Sequence, residues 1–288
     1  MNERDLPGLY RAADAASKGA QRRFLAALGC NLGSLVFSAV LSVINYPATW
    51  FAVAQAVLLL IGLVMALYLA FWQPQRIWYG MRALAESIKT ISWRYMMRAE
   101  PYDLEHGEAA RHFSENLLKV LAANRQICMH AAFAVDHEQI TPAMRACRES
   151  NIEERKSRYL DERILDQLAW YERKARVSSR DSRFWFSTLL IANALAVMTA
   201  LLKIGHPAAQ YWPTDIFAAA AGAIMAWLQT KRFQELAASY ALTAHEISIL
   251  RAGLPAGDDE RTFSTFVGDA ENAFSREHTQ WQARRDAD

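Results

Sequence analysis

Cysteine is scarce in this chain: three residues in 288, Cys30, Cys128 and Cys147, with no Cys-x-x-Cys spacing. An odd, unpatterned count implies reduced thiols and excludes a disulfide framework. Net charge is nearly absent as well, at a formal +2. That excludes a general nucleic-acid binder, which carries a marked basic excess. There is no Gly-rich phosphate loop, no Ser/His/Asp arrangement with local context and no pair of carboxylates in an apolar setting. The chain is therefore not read as an enzyme. His245-Glu246 lacks the second histidine of a metalloprotease motif, so no metal is expected there, and no cofactor is called for. No window alternates apolar and polar residues as a strand would.

Long apolar runs, by contrast, are plentiful. Residues 24–44, 50–72, 184–202 and roughly 212–228 are apolar, and the first three contain no charged residue. A bilayer core of about 30 Å needs about 20 helical residues. The fourth run is short, with only residues 216–228 free of charge and strongly polar groups, and leans on residues 212–215 for its length. Each pair of runs is joined by a short proline-containing loop, 45–49 and 205–213. Tryptophans 50, 72, 78, 185, 212 and 227 fall at the run ends, as in an aromatic belt. The fold read from this pattern is all-α and integral to the membrane. It has four transmembrane helices in two hairpins and a cytoplasmic helical bundle.

Basic residues orient it. Lys18, Arg22 and Arg23 precede the first run, and Arg76 and Arg82 follow the second. Arg173, Lys174, Arg176, Arg180 and Arg183 precede the third, and Lys231 and Arg232 follow the fourth. The hairpin loops hold only Lys203. The positive-inside rule then puts both termini and the middle segment in the cytoplasm. No cleavable signal peptide is read at the start.

The plan occurs twice, at an offset of about 156–160 residues. Leu9-Tyr10-Arg11 leads to Arg23-Phe24, and Trp170-Tyr171-Glu172 leads to Arg183-Phe184. The expected domains are 1–145 and 146–288, each ordered helix, span, span, helix, helix. Helices are expected over 78–97, running on from the second span, over 104–135, and over 153–183. The last of these carries a stripe of Tyr159, Leu160, Ile164, Leu168, Tyr171 and Ala175 at spacings of three and four. The turn 253–259 precedes a final helix bearing Phe263, Phe266, Val267, Ala270, Phe274 and Trp281.

Polar groups inside the spans are the candidate functional residues. Asn31, Ser34, Ser38 and Ser42 form one stripe, with Gly29 and Gly33 roughly opposite. Either the glycines pack and the stripe lines a wet lumen, or the serines bond back to their own helix and Asn31 ties two helices together. Gln55 and Asn193 are the other intramembrane amides; an unpaired amide in hydrocarbon costs several kcal/mol, so each faces either a packing hydrogen-bond partner, the favoured role, or water. Asn31, Ser34, Ser38, Ser42, Gln55 and Asn193 are thus the pore-lining candidates. Gly29, Gly33, Ala218, Gly222 and Ala226 are the helix-packing candidates.

Ser92-Trp93-Arg94-Tyr95-Met96-Met97 follows the second span, and Ala241-Leu242-Thr243-Ala244-His245-Glu246 follows the fourth. Ser275-Arg276-Glu277-His278-Thr279-Gln280-Trp281 lies near the end. With the paired spans, these residues resemble the SLATT family of bacterial two-transmembrane effector domains, in a tandem two-domain form covering nearly the full length. The resemblance implies a pore-forming, cell-killing effector of anti-phage conflict systems, working with a nucleotide-signalling partner protein. Membrane lipid and further copies of the chain are the other expected partners. The competing expectation is a membrane-anchored helical sensor or scaffold that recruits cytoplasmic proteins without conducting.

Overall fold

The computed structural model describes residues 3–131, 138–206 and 208–285, with side chains to residue 274. Among them every regular element is helical. In order they are α1 (Gly8–Ile44), α2 (Thr49–Trp72), α3 (Pro74–Met96), α4 (His106–Ala123), α5 (Arg125–His130), α6 (Pro142–Glu149) and α7 (Ile152–Tyr159). A π-helical turn, Leu160–Leu165, leads into α8 (Asp166–Gly205), and α9 (Thr214–Lys231), α10 (Phe233–Ala252) and α11 (Glu260–Arg285) follow.

Three helical stretches are long and apolar enough to cross a membrane: Gly8–Ile44, Thr49–Trp72 and Ile152–Gly205. Helix α9 has 18 residues, about 27 Å at 1.5 Å per residue, and is not among them.

The chain forms two compact units that cut across the sequence repeat. One contains the first part of α1, α3 to α7, the start of α8, the end of α10 and α11; the other contains the rest of α1, α2, most of α8, α9 and the start of α10. Each unit thus draws on both copies. The copies also share a backbone feature. Gln73 after α2 (φ 42°) and Arg232 after α9 (φ 46°) both adopt left-handed conformations, uncommon for non-glycine residues. The same break recurs after the second helix of each hairpin.

That break corrects one expectation: the second span does not run on into the next helix. Pro74 lacks an N–H and disfavours helix in the residue before it, so α2 stops at Trp72 and α3 starts with Pro74 in its first turn. The helix expected over 104–135 is also interrupted. Asn124 donates its side-chain amide to the Val120 carbonyl at 2.9 Å, competing with the helix for its last-turn acceptors. The part of that expectation falling on residues 132–137 lies outside the described residues. The charged helix expected to end at 183 instead joins the third span without a break, because no Gly or Pro interrupts it.

In the first unit α3 is the hub. Its Met81, Leu84, Ala85, Ile88, Trp93, Tyr95 and Met96 are buried. The Tyr95, Tyr102 and Phe113 rings cluster on one side, and Trp93, Tyr159, Phe263 and Phe266 on the other. Gly80 admits Ile127 of α5 into the space a Cβ would need. Thr141 caps α6, Asn151 caps α7 and Asp259 caps α11 through first-turn N–H groups at 3.3, 2.9 and 2.9 Å.

The expected stripe on residues 159–175 is buried at Tyr159, Ile164 and Tyr171, while Leu160, Leu168 and Ala175 are half-buried. On α11, Phe263, Val267, Ala270 and Phe274 are buried as the spacing implies. The side chain of Trp281, with the rest of its motif from Ser275, lies outside the described residues.

Candidate functional site in the membrane hairpins

The second unit holds the candidate residues. In the first hairpin, Asn31 Nδ2 of α1 donates to the Gly62 carbonyl oxygen of α2 at 2.7 Å. Ser34 Oγ donates back to the Asn31 carbonyl at 2.8 Å. A Cβ on Gly62 would lie 2.7 Å from that hydroxyl. The absence of a side chain at Gly62 is what admits the two polar groups. Asn31 and Ser34 therefore lie in the seam between α1 and α2. Ser38 is buried too, whereas Ser42 is exposed and Gln55 half-buried.

Among the described residues, Gly29 and Gly33 meet nothing within 4 Å of where a Cβ would stand. The contact between α1 and α2 is made on the polar side of α1, and the glycine side is left open.

The second hairpin is sealed differently. Trp185 of α8 meets Trp227 of α9 at 6.1 Å between ring centroids. Leu189 and Ala192 pack against Ala221, with Ile224 and Leu228 alongside. At the loop end, Thr214 Oγ1 donates to Thr199 Oγ1 at 3.0 Å. Residues 185, 192 and 199 recur every seven, the two-turn period of close antiparallel packing. Ala218 and Gly222 lie off this seam and are exposed, while Ala226 is half-buried. Gly222 meets nothing within 4 Å among the described residues. Asn193 is exposed near the midpoint of its span, and its Nδ2 turns back to the Leu189 carbonyl at 2.9 Å.

The first unit carries buried charges that the apolar stripes gave no hint of. Arg163 and Glu271, both buried, form a salt bridge at 2.6 Å, with a second bond from Arg163 Nε at 2.8 Å. Tyr159 Oη donates to the same carboxylate at 3.1 Å. Burial works against the Arg163 charge, but the Glu271 carboxylate outweighs it and holds the guanidinium above its usual pKa. Burial, then Glu271, pushes the Tyr159 phenol well up. Burial, and next the charge of Arg163, holds Lys89 below the usual lysine value.

Arg148 donates to the carbonyls of Tyr95, Tyr102 and Leu104 at 2.6, 2.8 and 2.8 Å. Arg155 reaches the Met97 carbonyl at 2.9 Å and the Glu260 carboxylate. The Tyr95 and Met97 carbonyls are acceptors where α3 ends, where positive charge is favoured, and the Tyr102 and Leu104 carbonyls belong to the loop that follows. Gly62, Arg148, Arg155, Arg163 and Glu271 are the residues missed in the sequence. The only available signal was the Gly62 position inside an apolar run, facing Asn31 if the helices pair as a hairpin.

Comparison with known proteins accords with this arrangement. Residues 7–156 match the family described as SMODS and SLOG-associating 2TM effector domain 3, and residues 159–281 match SMODS and SLOG-associating 2TM effector domain 1. No curated protein and no solved structure matches the chain. Each matched range contains one helical hairpin and the helices that follow it. This chain therefore belongs to the SLATT family of two-transmembrane effector domains, with two such domains in tandem.

Proposed function

We propose that the protein is a membrane-permeabilising effector of a bacterial conflict system, acting without catalysis in the inner membrane. Four spans in two hairpins cross the bilayer, with α9 inserted through its packing on α8. The bundle around α3 and both termini face the cytoplasm. Several copies assemble, and together they open a path for ions or small solutes. A nucleotide-signalling protein supplies the trigger.

The observation that carries this reading is Asn193. It places an exposed amide near the middle of a span, and its bond to the Leu189 carbonyl uses one N–H only; the polar atoms that remain cost several kcal/mol if left unpaired in hydrocarbon. A second copy or a column of water relieves that cost, and an assembled pore supplies either. The open faces at Gly29, Gly33 and Gly222 add surfaces on which helices of neighbouring copies approach closely.

The test is Asn193→Cys in a chain whose three native cysteines are replaced by alanine. Modification by a charged, water-borne thiol reagent, or a disulfide between copies, is expected. A thiol that does neither in the folded, inserted protein faces lipid and contradicts the reading.

One observation favours the anchored-scaffold alternative. Asn31 and Ser34 are spent on the hairpin seam, which removes two of the polar groups available to line a lumen.

A further inference from the structure

The second hairpin opens at its charged end into a cleft of about 1140 Å³, between α8 and the α9–α10 turn. Ser182, Arg183 and Phe186 line one wall, and Leu228, Gln229 and Arg232 the other. Trp185 and Trp227 meet at the same end of the hairpin, so the cleft sits where both apolar runs stop. Its lining is graded. Phe186 and Leu228 belong to the apolar runs, while the two guanidinium groups and the Ser182 and Gln229 side chains belong to the charged borders. Glu235 also lines the cleft and lies 3.6 Å from Arg232 Nε, an exposed pair of little strength.

We propose that this cleft binds an anionic phospholipid, with the headgroup phosphate on Arg183 and Arg232 and the acyl chains along Phe186 and Leu228. Planar guanidinium groups match phosphate oxygens bidentately. Basic pockets between membrane helices at the cytoplasmic border are suited to anionic headgroups. A soluble anion would use the arginines and gain nothing from Phe186 and Leu228. A lipid uses both, and the charge gradient of the lining runs the way a lipid molecule does. On the orientation read from the basic residues, the lipid belongs to the cytoplasmic leaflet. The site does not require conduction. It rests on α9 lying in the membrane beside α8, a placement tested separately by the protection of Ala256→Cys, beyond α9, from a periplasmic maleimide.

The experiment uses the full chain in detergent, with native mass spectrometry to count retained lipid and thermal unfolding to read its effect. Phosphatidylglycerol and phosphatidylcholine of equal chain length are compared, with sodium phosphate at matched concentration as the soluble arm. Phosphatidylglycerol should be retained preferentially and should raise the melting temperature. At about fivefold for each arginine, the double variant Arg183→Gln/Arg232→Gln should retain it about 25-fold less well. The control Arg173→Gln/Lys174→Gln, outside the cleft, should retain it as the native chain does.

Equal retention of the two lipids by the native chain overturns the proposal without reference to any variant. So does an equal loss in the control variant, which would mark diffuse surface attraction. A melting shift from sodium phosphate alone, matching that from the lipid, would mark a soluble-anion site and overturn the lipid assignment. The double variant is judged only where its helical signal matches the native chain. Otherwise Arg183→Lys/Arg232→Lys, which keeps the charge but loses the bidentate fork, takes its place and should lower the preference; a preference equal to that of the native chain, with phosphatidylcholine retention unchanged, overturns the assignment to the two arginines.

Discussion

Asn31 of α1 and Gly62 of α2 are joined by a 2.7 Å hydrogen bond from side-chain amide to main-chain oxygen. The bond needs Gly62 to be glycine, because the Ser34 hydroxyl stands where its Cβ would press. Gly62→Leu should push the two helices apart and lower the stability of the detergent-solubilised protein by about 1–3 kcal/mol, as overpacking does. Gly29→Leu and Gly33→Leu meet open space and should leave the thermal transition of the monomer unchanged while reducing the size of the assembled species. Thermal unfolding and size-exclusion chromatography separate the two effects. Equal destabilisation by all three variants would show that the glycine face packs within the chain.

The Arg163–Glu271 pair lies out of water. Glu271→Ala would leave the guanidinium buried without its counter-charge, at a cost of about 3–5 kcal/mol. The double variant Arg163→Met/Glu271→Leu should recover most of that loss, because both desolvation penalties vanish together. Circular-dichroism melting of the native chain, the single variant and the double variant measures it. A double variant as unstable as Glu271→Ala would show that the pair acts by packing alone.

Lys89 is held below its usual pKa by burial and by Arg163, so the folded state disfavours its charged form. The cost is fully present below the folded pKa and is relieved as pH rises from there toward the unfolded value. Lys89→Met should therefore melt higher than the native chain near neutral pH, and the gap should shrink as pH rises toward 10. A gap independent of pH would mean that Lys89 titrates as it does in the unfolded chain.

Three membrane-length helices were legible because their apolar runs announce themselves, and the α11 stripe because it repeats at helical spacing. Breaks were harder. Gln73-Pro74 and Asn124 stop helices through one residue each, against long stretches that favour continuation. The polar stripe of α1 was visible at Asn31, Ser34, Ser38 and Ser42, but not the surface it meets. That depends on Gly62, an ordinary glycine in an apolar run until α2 is folded back on α1. The buried charges were invisible for a similar reason. Arg163 falls among many charged residues on its helix, and only the approach of Glu271, 108 residues away, distinguishes it.

Loop residues report orientation. Ala48→Cys and Ala208→Cys, each in an otherwise cysteine-free chain, should react with an impermeant maleimide added from the periplasmic side. Native Cys147 is no reporter in the folded protein, since it is buried and its thiol is pushed up by that burial. Half-buried Cys128 should react only after the inner membrane is opened. Protection of Ala208→Cys alone would mean that neither α8 nor α9 crosses and would reduce the span count to two, whereas periplasmic labelling of Ala256→Cys, in the exposed turn beyond α10, would mean that α9 does not cross back and would reduce it to three.

Permeabilisation itself is read most directly by release of a small dye from liposomes carrying the purified full-length chain. Release that rises more steeply than linearly with the protein-to-lipid ratio, and that falls in Asn193→Leu at equal incorporation and equal helical content, is the expected result. Native protein that is folded, fully incorporated and assembled into oligomers, yet retains the dye at every ratio, would contradict it and leave the hairpins as anchors for the helical bundle.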